Sequence, residues 1–439
     1  MKHLFMKRTE YLIVGNSTAA AGAIEGIRKL DANSPVALIS REPYHVYSRP
    51  LLSYLLAGDF DEERMYLRPR DFYDRNRVQA RLGVSVYRID TRKRVAYAGD
   101  EEIAFHNMLI ATGGRPAVPP IEGLDAEGVF TFASWDDARA IDGHIRRLES
   151  DNGAAEALII GAGMIGVKAL EALLARSVKA TVVERENGIL PLALNRQASS
   201  IIERAAKDAG AEVICGVVVR RIAKDASGRV SGAILSDGRM VSCGLVVVAA
   251  GVEPETGLVR DTEVLTDRGI LIDERCRTSV EGIYAAGDVA QVEDALSGVS
   301  RPMPLFPNAF RQGRIAGINM AGGQAVTGGL FAMNSMVLFG VPLISVGQVN
   351  ASGKPYCILE KNDPAGGSYK CVVLKENRVV GALFVGDVER IGIFTGLIRR
   401  HVDVSKIRDL LLTDGFGLLG LPAEYRKDVV GGEGTEAHT

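Results

Sequence analysis

The run Leu158-Ile-Ile-Gly161-Ala-Gly163-Met164-Ile165-Gly166 places three glycines at the first, third and sixth positions of a turn that follows an apolar stretch. Glycine at the first position permits a tight turn. The second glycine, Gly163, lets the backbone approach a phosphate, and the third, Gly166, lets the next helix pack closely on its strand. Unpaired N–H groups at such a helix start attract anions. Glu184 ends the next apolar run, 23 residues after Gly161. A carboxylate there can accept hydrogen bonds from both hydroxyls of an adenosine ribose, and it repels a 2′-phosphate. The set Gly161, Gly163, Met164, Ile165, Gly166 and Glu184 thus reads as a site for NAD rather than NADP. Arg185 weakens that preference without reversing it.

A looser copy precedes it, Tyr11-Leu-Ile-Val14-Gly15-Asn-Ser17-Thr18-Ala19-Ala20. Ser17 takes the second glycine position and Ala20 the third. Ala20 is small enough for helix–strand packing. Ser17 adds a side chain, although its hydroxyl can donate to a phosphate. Glu42, two residues past the next strand, is the ribose candidate. Alone, this copy does not separate a nucleotide site from an ordinary strand–helix–strand unit. Ile283-Tyr-Ala-Ala286-Gly287-Asp288 adds weight, because an apolar strand there ends in a turn that projects one carboxylate. Asp288 suits a ribityl hydroxyl of FAD. Ala111-Thr112-Gly113 and Ala250-Gly251 are further turns after apolar runs. Two dinucleotide units suggest a chain that passes electrons from one nucleotide to the other.

The elements that must position these residues follow from periodicity. Strands are expected at Glu10–Val14, Val36–Ser40, Met108–Ala111, Ala157–Ile160, Lys179–Glu184, Leu245–Ala250 and Ile283–Ala286. Helices are expected at Thr18–Leu30, Met164–Ala175 and about Asn308–Met320. Residues 44–80 read as short helices and loops. From about 330 the pattern changes to short β-like runs (Leu343–Val346, Cys371–Leu374, Val379–Phe384) before an apolar helix near Ile391–Arg400. The tail Gly431–Thr439 reads as disordered.

A chain of 439 residues implies two or three domains. Its 49 glycines exceed the usual share of about 7%, as turns beside cofactors require. A net charge of −2 argues against a nucleic-acid surface. No apolar run approaches the roughly 20 residues of a membrane helix. Phe331–Gly347, broken by Asn334, Ser335 and Pro342, reads as strands and turns. Met1–Glu10 lacks the apolar core of a leader, so a cytoplasmic protein is expected. Cys215, Cys243, Cys276, Cys357 and Cys371 form neither CxxC nor a cluster-binding run, and read as buried reduced thiols. The chain then has no evident iron–sulfur cluster or vicinal dithiol of its own. Its histidines are scattered, and no metal site is expected.

The order Val14-Gly15, Ala111-Thr112-Gly113, Gly161–Gly166, Ile189-Leu190-Pro191, Ala250-Gly251 and Ala286-Gly287-Asp288 resembles the FAD-dependent pyridine nucleotide–disulfide oxidoreductase superfamily. The resemblance spans residues 10–325. It implies an α/β fold of two Rossmann-like, glutathione reductase-type dinucleotide-binding domains, one inserted in the other, plus an α+β C-terminal domain. FAD would be held by 1–120 and 245–325, and NAD by 121–244. Residues 326–439 would form an interface domain.

Tyr47-Ser48-Arg49-Pro50-Leu51-Leu52-Ser53 is similar to the branch with rubredoxin reductases, nitrite reductase flavin domains and NADH oxidases. There a basic residue lies against the flavin, so Arg49 is implied to stabilise the anionic reduced form; the alternative is a surface-loop arginine. Pro307-Asn308-Ala309 resembles the helix start that faces the flavin pyrimidine. The pattern also resembles the FAD subunit of NADH-linked complexes of the phenylglyoxylate dehydrogenase type, whose first glycine motif is likewise rich in serine and alanine.

Two departures matter. No cysteine precedes Cys215, so a disulfide relay within the chain is not expected. Where many relatives carry Glu two residues after the last glycine, this chain has Lys168. Lys168 either lies near flavin and nicotinamide, compensating charge on reduction, or turns to solvent. The expected function is hydride transfer between NADH and FAD, with electrons exchanged between FAD and an external iron–sulfur protein or subunit. An NADH oxidase using oxygen or peroxide is the alternative, and an NADH-sensing flavoprotein with a structural or signalling role is a third reading. The chain would act as a homodimer or as one subunit of a larger complex.

Overall fold

Val36–Ser40 is five consecutive buried residues, a pattern that suits a parallel strand covered on both faces. It lies in the first of two compact units of a computed structural model. The structure describes residues 7–152, 154–364, 366–421 and 426. The tail Gly431–Thr439 lies outside them. One unit comprises Met1–Val183 with Val218–Leu330, and the other Glu184–Val217 with Phe331–Thr439. Residues 184–217, from the middle of the expected 121–244 domain, thus belong to the second unit.

In the first unit, β1 (Arg8–Val14) leads through α1 (Thr18–Leu30) to β2 (Val36–Ser40). A 3-10 turn at Arg49–Leu51 precedes α2 (Leu52–Ala57). Then come β3 (Val78–Leu82), β4 (Val86–Asp90), β5 (Val95–Ala98) and β6 (Glu101–Ile110). The sheet order is β3-β2-β1-β6-β5-β4. Strands β1, β2, β3 and β6 pair in parallel, and β4 and β5 add an antiparallel hairpin. Alternate residues of β1 serve opposite faces. Tyr11 and Ile13 join one apolar core, Leu12 and Val14 the other.

The same unit holds a second parallel sheet. Four of its five strands are β7 (Val129–Thr131), β8 (Glu156–Ile160), β9 (Lys179–Glu184) and β10 (Leu245–Val248), in the order β9-β8-β10-β7. Helix α3 (Trp135–Asn152) precedes β8, and α4 (Met164–Ala175) joins β8 to β9. A capping box starts α3: Ser134 Oγ accepts from the Asp137 N–H at 3.1 Å, and Asp137 Oδ2 accepts from the Ser134 N–H at 3.0 Å. Strand β11 (Ile283–Ala285) pairs with β6 in the first sheet, and α5 (Phe306–Met320) follows.

Helices α1 and α5 pack with unusual closeness. A Cβ on Gly313 would lie 1.9 Å from the Ala19 carbonyl oxygen, and one on Gly317 2.1 Å from that of Ala23. Gly22 and Gly26 of α1 approach the Phe310 and Arg314 carbonyls in the same way. Glycine at all four positions sets this helix–helix distance.

The second unit contains the antiparallel strands β12 (Met333–Leu338), β13 (Val341–Gly347), β14 (Tyr356–Asp363), β15 (Ser368–Lys375) and β16 (Arg378–Val385). Their order is β12-β13-β16-β15-β14. The helix Ile391–Arg399 packs on β16, where Phe394 meets Phe384 at 5.3 Å between ring centroids. The stretch Phe331–Gly347 supplies the β12–β13 hairpin, as its polar interruptions imply. No helix among the described residues is long and apolar enough to cross a membrane.

Candidate dinucleotide sites

Gly15 closes the first turn. Its φ is +114°, and a Cβ there would lie 2.0 Å from the Ala111 oxygen, so only glycine fits. The chain then enters α1 with Ser17 as N-cap, but the Ser17 side chain makes no capping hydrogen bond. Thr18 is buried, and its hydroxyl finds no partner. The first N–H groups of α1 are therefore uncapped by side chains.

The neighbouring turns converge on this point. A Cβ on Gly287 would lie 3.3 Å from Ala19 Cβ and 3.5 Å from Ala309 Cβ. The Gly287 N–H donates to Gln312 Oε1 at 2.8 Å, which holds the turn that projects Asp288. Burial pushes the Asp288 carboxyl above its usual range, and the charge of Arg49 partly offsets this. Asn308 sits in the first turn of α5, and its buried Nδ2 finds no partner. Ala111 accepts no side chain into the turn beside Gly15 and is itself buried. Thr112 Oγ1 donates to the Glu255 carbonyl at 2.9 Å. Gly113 has open space where a Cβ would stand. The structure thus brings Gly15, Ala19, Ala111, Gly287 and Ala309 together and leaves Thr18 Oγ1 and Asn308 Nδ2 unsatisfied beside uncapped helix starts. Buried polar groups normally find partners. An extended phosphate- and hydroxyl-bearing molecule such as FAD fits this donor set.

Arg49 and Glu42 are placed less simply. Arg49 Nη2 contacts Glu42 Oε1 at 2.5 Å, and Nη1 donates to the Ala133 carbonyl at 2.5 Å. Glu42 Oε2 accepts from Tyr47 OH at 2.7 Å. Both Glu42 oxygens are therefore engaged by the chain itself. Burial works against the Arg49 charge, but Tyr47 and Glu42 outweigh it and the guanidinium stays protonated. Sequence reasoning missed the surrounding aromatic cluster. Trp135 is fully buried, with Tyr44, Tyr47 and Tyr66 at 5.0, 5.3 and 5.5 Å between ring centroids. The aromatic content of residues 44–66 was the available signal.

At the second turn, Gly161 has φ +98°, and its Cβ would lie 2.6 Å from the Ala249 oxygen. A Cβ on Gly166 would lie 1.9 Å from the Gly161 oxygen. Gly163 behaves differently: it is the N-cap of α4, has no side-chain cap, and faces open space. Two glycines thus serve internal packing, and the third leaves an approach to the helix start clear. A diphosphate fits that opening. Met164 is exposed and Ile165 half-buried. Ala250 and Gly251 form the exposed turn after β10, where Gly251 O accepts from the Ala117 N–H at 2.9 Å. Glu184 is buried at the end of β9 and accepts from the Glu186 N–H at 3.0 Å; it belongs to the second unit.

Lys168 does not extend into solvent. Its side chain is 17% exposed and contacts Glu171 Oε2 at 2.7 Å and Tyr54 OH at 3.3 Å. All five cysteines are unpaired. Burial raises the thiols of Cys215 and Cys371 to about 11 and that of Cys243 to about 12, which suppresses thiolate chemistry.

Residues 9–313 match the family described as pyridine nucleotide-disulphide oxidoreductase, and residues 333–402 match the rubredoxin NAD+ reductase C-terminal domain. The chain is 30% identical over 406 residues to the NADH-dependent phenylglyoxylate dehydrogenase subunit epsilon of Aromatoleum evansii, covering 92% of this chain and 94% of that one. It is 26% identical to the NADH-rubredoxin oxidoreductase of Clostridium acetobutylicum, over 92% of this chain and 97% of that one. Among solved structures, the NAD-dependent persulfide reductase from A. fulgidus superposes with a TM-score of 0.83 at 25% identity, covering 92% of this chain and 79% of that one.

Proposed function

We propose a function for this chain from one premise: it belongs to the pyridine nucleotide-disulphide oxidoreductase family. It is an oxidoreductase that uses FAD and NAD(H). Our reading is that it moves hydride between NADH and FAD and exchanges electrons with an external iron–sulfur protein or subunit. One observation carries this reading: a single unit holds two glycine turns, each beside an uncapped helix start.

Bound FAD supplies the hydride and electron chemistry. The chain's own residues bind, orient and set charge. Gly15, Ser17, Thr18 and the start of α1 would hold the flavin diphosphate. Asp288 would take a ribityl hydroxyl, and Asn308 and Ala309 would form part of the flavin floor. Arg49, kept charged by Glu42 and Tyr47, would favour added negative charge in this cradle. Gly161, Gly163 and the start of α4 would hold the NAD diphosphate. The proposed FAD domain is 1–120 with 245–325, and the proposed NAD domain is 121–244.

The thiols are all unpaired, three buried and two (Cys215 and Cys357) half-buried, and they offer no dithiol acceptor, which supports an external one. The relatives from A. evansii and C. acetobutylicum, named for NADH-dependent chemistry, support the same choice. A cytoplasmic setting, where thiols stay reduced, is part of this proposal. Mixing the FAD-loaded protein with NADH under anoxia tests it. The visible flavin absorption should bleach and recover when oxidised rubredoxin or ferredoxin is added. Failure to hold a yellow chromophore, or to bleach, overturns the reading. Fast NADH-dependent oxygen uptake by the isolated chain would assign it to an oxidase instead. Native mass separates a homodimer from one subunit of a larger complex.

A further inference from the structure

Helices α2 and α4 pack on each other, and polar contacts tie them at two points. Lys168 of α4 reaches Tyr54 of α2, with Nζ 3.3 Å from the hydroxyl and 4.7 Å from the ring centroid. Phe60 stacks on Tyr54 at 6.2 Å with 18° between the rings, and Glu171 Oε2 holds Lys168 at 2.7 Å. Beyond the far end of α4, Arg176 Nη1 donates to the Leu56 carbonyl at 3.2 Å and to Asp142 Oδ1 at 2.6 Å.

The two helices lead to different turns. Helix α4 opens at Gly161–Gly163. Helix α2 follows the Arg49–Leu51 turn directly, and Arg49 pairs with Glu42 and acts electrostatically on Asp288. A packed helix pair with one half-buried ammonium therefore links the segments that lead to the two proposed cradles.

We propose that Lys168 is a positioning residue: with Tyr54 it forms a clamp that couples dinucleotide binding at the start of α4 to the redox state of a flavin held by the Arg49 segment. This rests on the function proposed above. Hydride carries two electrons and one proton, so its acceptance by FAD adds one negative charge, with NAD+ as the other product. The Lys168 ammonium favours that state, and the clamp makes the favour depend on what α4 holds. Such coupling is reciprocal between binding and redox state.

The test uses the FAD-loaded protein and ADP-ribose, an unreactive probe. Its Kd is measured by calorimetry with the flavin oxidised and reduced by dithionite, and the flavin midpoint potential is measured with and without the probe. In the parent protein the two Kd values should differ by about tenfold, inside the usual coupling range. For a two-electron couple that equals a shift of about 30 mV. Lys168→Met should bring the ratio below about twofold. Tyr54→Phe should reduce it, the double variant should go no further than Lys168→Met, and Lys168→Arg should preserve it. Non-additivity of this kind is the evidence that a coupling contact requires.

A purely structural role predicts equal loss of affinity in both redox states with the ratio intact, and that result overturns the proposal. So does a parent ratio of one. Should Lys168→Met not fold, Lys168→Arg and Tyr54→Phe still decide the question. Failure of the underlying function would show separately, as no bleaching by NADH. Bleaching with an unchanged ratio in Lys168→Met refutes the clamp alone.

Discussion

Asp288 is a carboxylate whose surroundings disfavour its charge. Burial raises its pKa above 3.8, and Arg49 opposes the rise. An acid with a raised folded pKa stabilises the fold most when protonated. Its contribution is complete below the unfolded value and is lost as pH rises through the folded one. Asp288→Asn should therefore raise the Tm of FAD-free protein at pH 7 by more than at pH 4, in a thermal melt at both. The same variant should weaken FAD retention by about tenfold, or about 1.4 kcal/mol, in a filter-binding assay. Glu42→Gln should leave Tyr47 and Arg49 with a neutral partner. It should lower the flavin's affinity less than Arg49→Met does, measured in the same assay. Gly161, Gly166 and Asp288 are legible in the sequence because each holds a fixed place in a short strand–turn motif, even though Gly161 packs on Ala249 and Asp288 feels the charge of Arg49. The engagement of Glu42 by Arg49, and of Lys168 by Tyr54, was not legible. Residues 54 and 168 meet only once two helices have packed, and no spacing rule encodes that.

Two glycine classes emerge among the elements. Gly313 sits where a side chain would strike the Ala19 backbone at 1.9 Å. Gly313→Ala should cost about 3 kcal/mol through overpacking, read as a lower midpoint in urea with an unchanged slope. Gly163 faces open space at φ −70°. Gly163→Ala should change stability by no more than about 0.5 kcal/mol, yet raise the NADH Kd by at least about tenfold. Should Gly163→Ala instead destabilise and bind normally, the glycine is structural. Helices Thr18–Leu30 and Met164–Ala175 and strand Lys179–Glu184 have the bounds that the sequence pattern implies, because a turn of small residues or a charged end terminates each. The Val86–Ala98 hairpin was not legible. It lies at a sheet edge, where Tyr87 and Arg88 are exposed and apolar alternation is weak. Helix Trp135–Asn152 was missed for a related reason: charged residues dominate it and only a narrow face is apolar.

For the molecule as a whole, both dinucleotide turns lie in one compact unit, while Glu184 lies in the other. Bound FAD should stabilise the first unit by mass action. At about 100 times its Kd the gain should be about 2.7 kcal/mol, measured as a shifted denaturation midpoint. The family-level architecture was legible because six short motifs keep a fixed order along the chain. The grouping of 184–217 with the C-terminal strands was not, since it depends on packing between segments far apart in sequence. Trp135 is the chain's single tryptophan and is enclosed by tyrosines in the first unit. Its fluorescence is therefore a private gauge of the larger unit and blind to the smaller. Melting curves from indole emission and from backbone circular dichroism would superimpose if the two units come apart together, and would split if one outlasts the other.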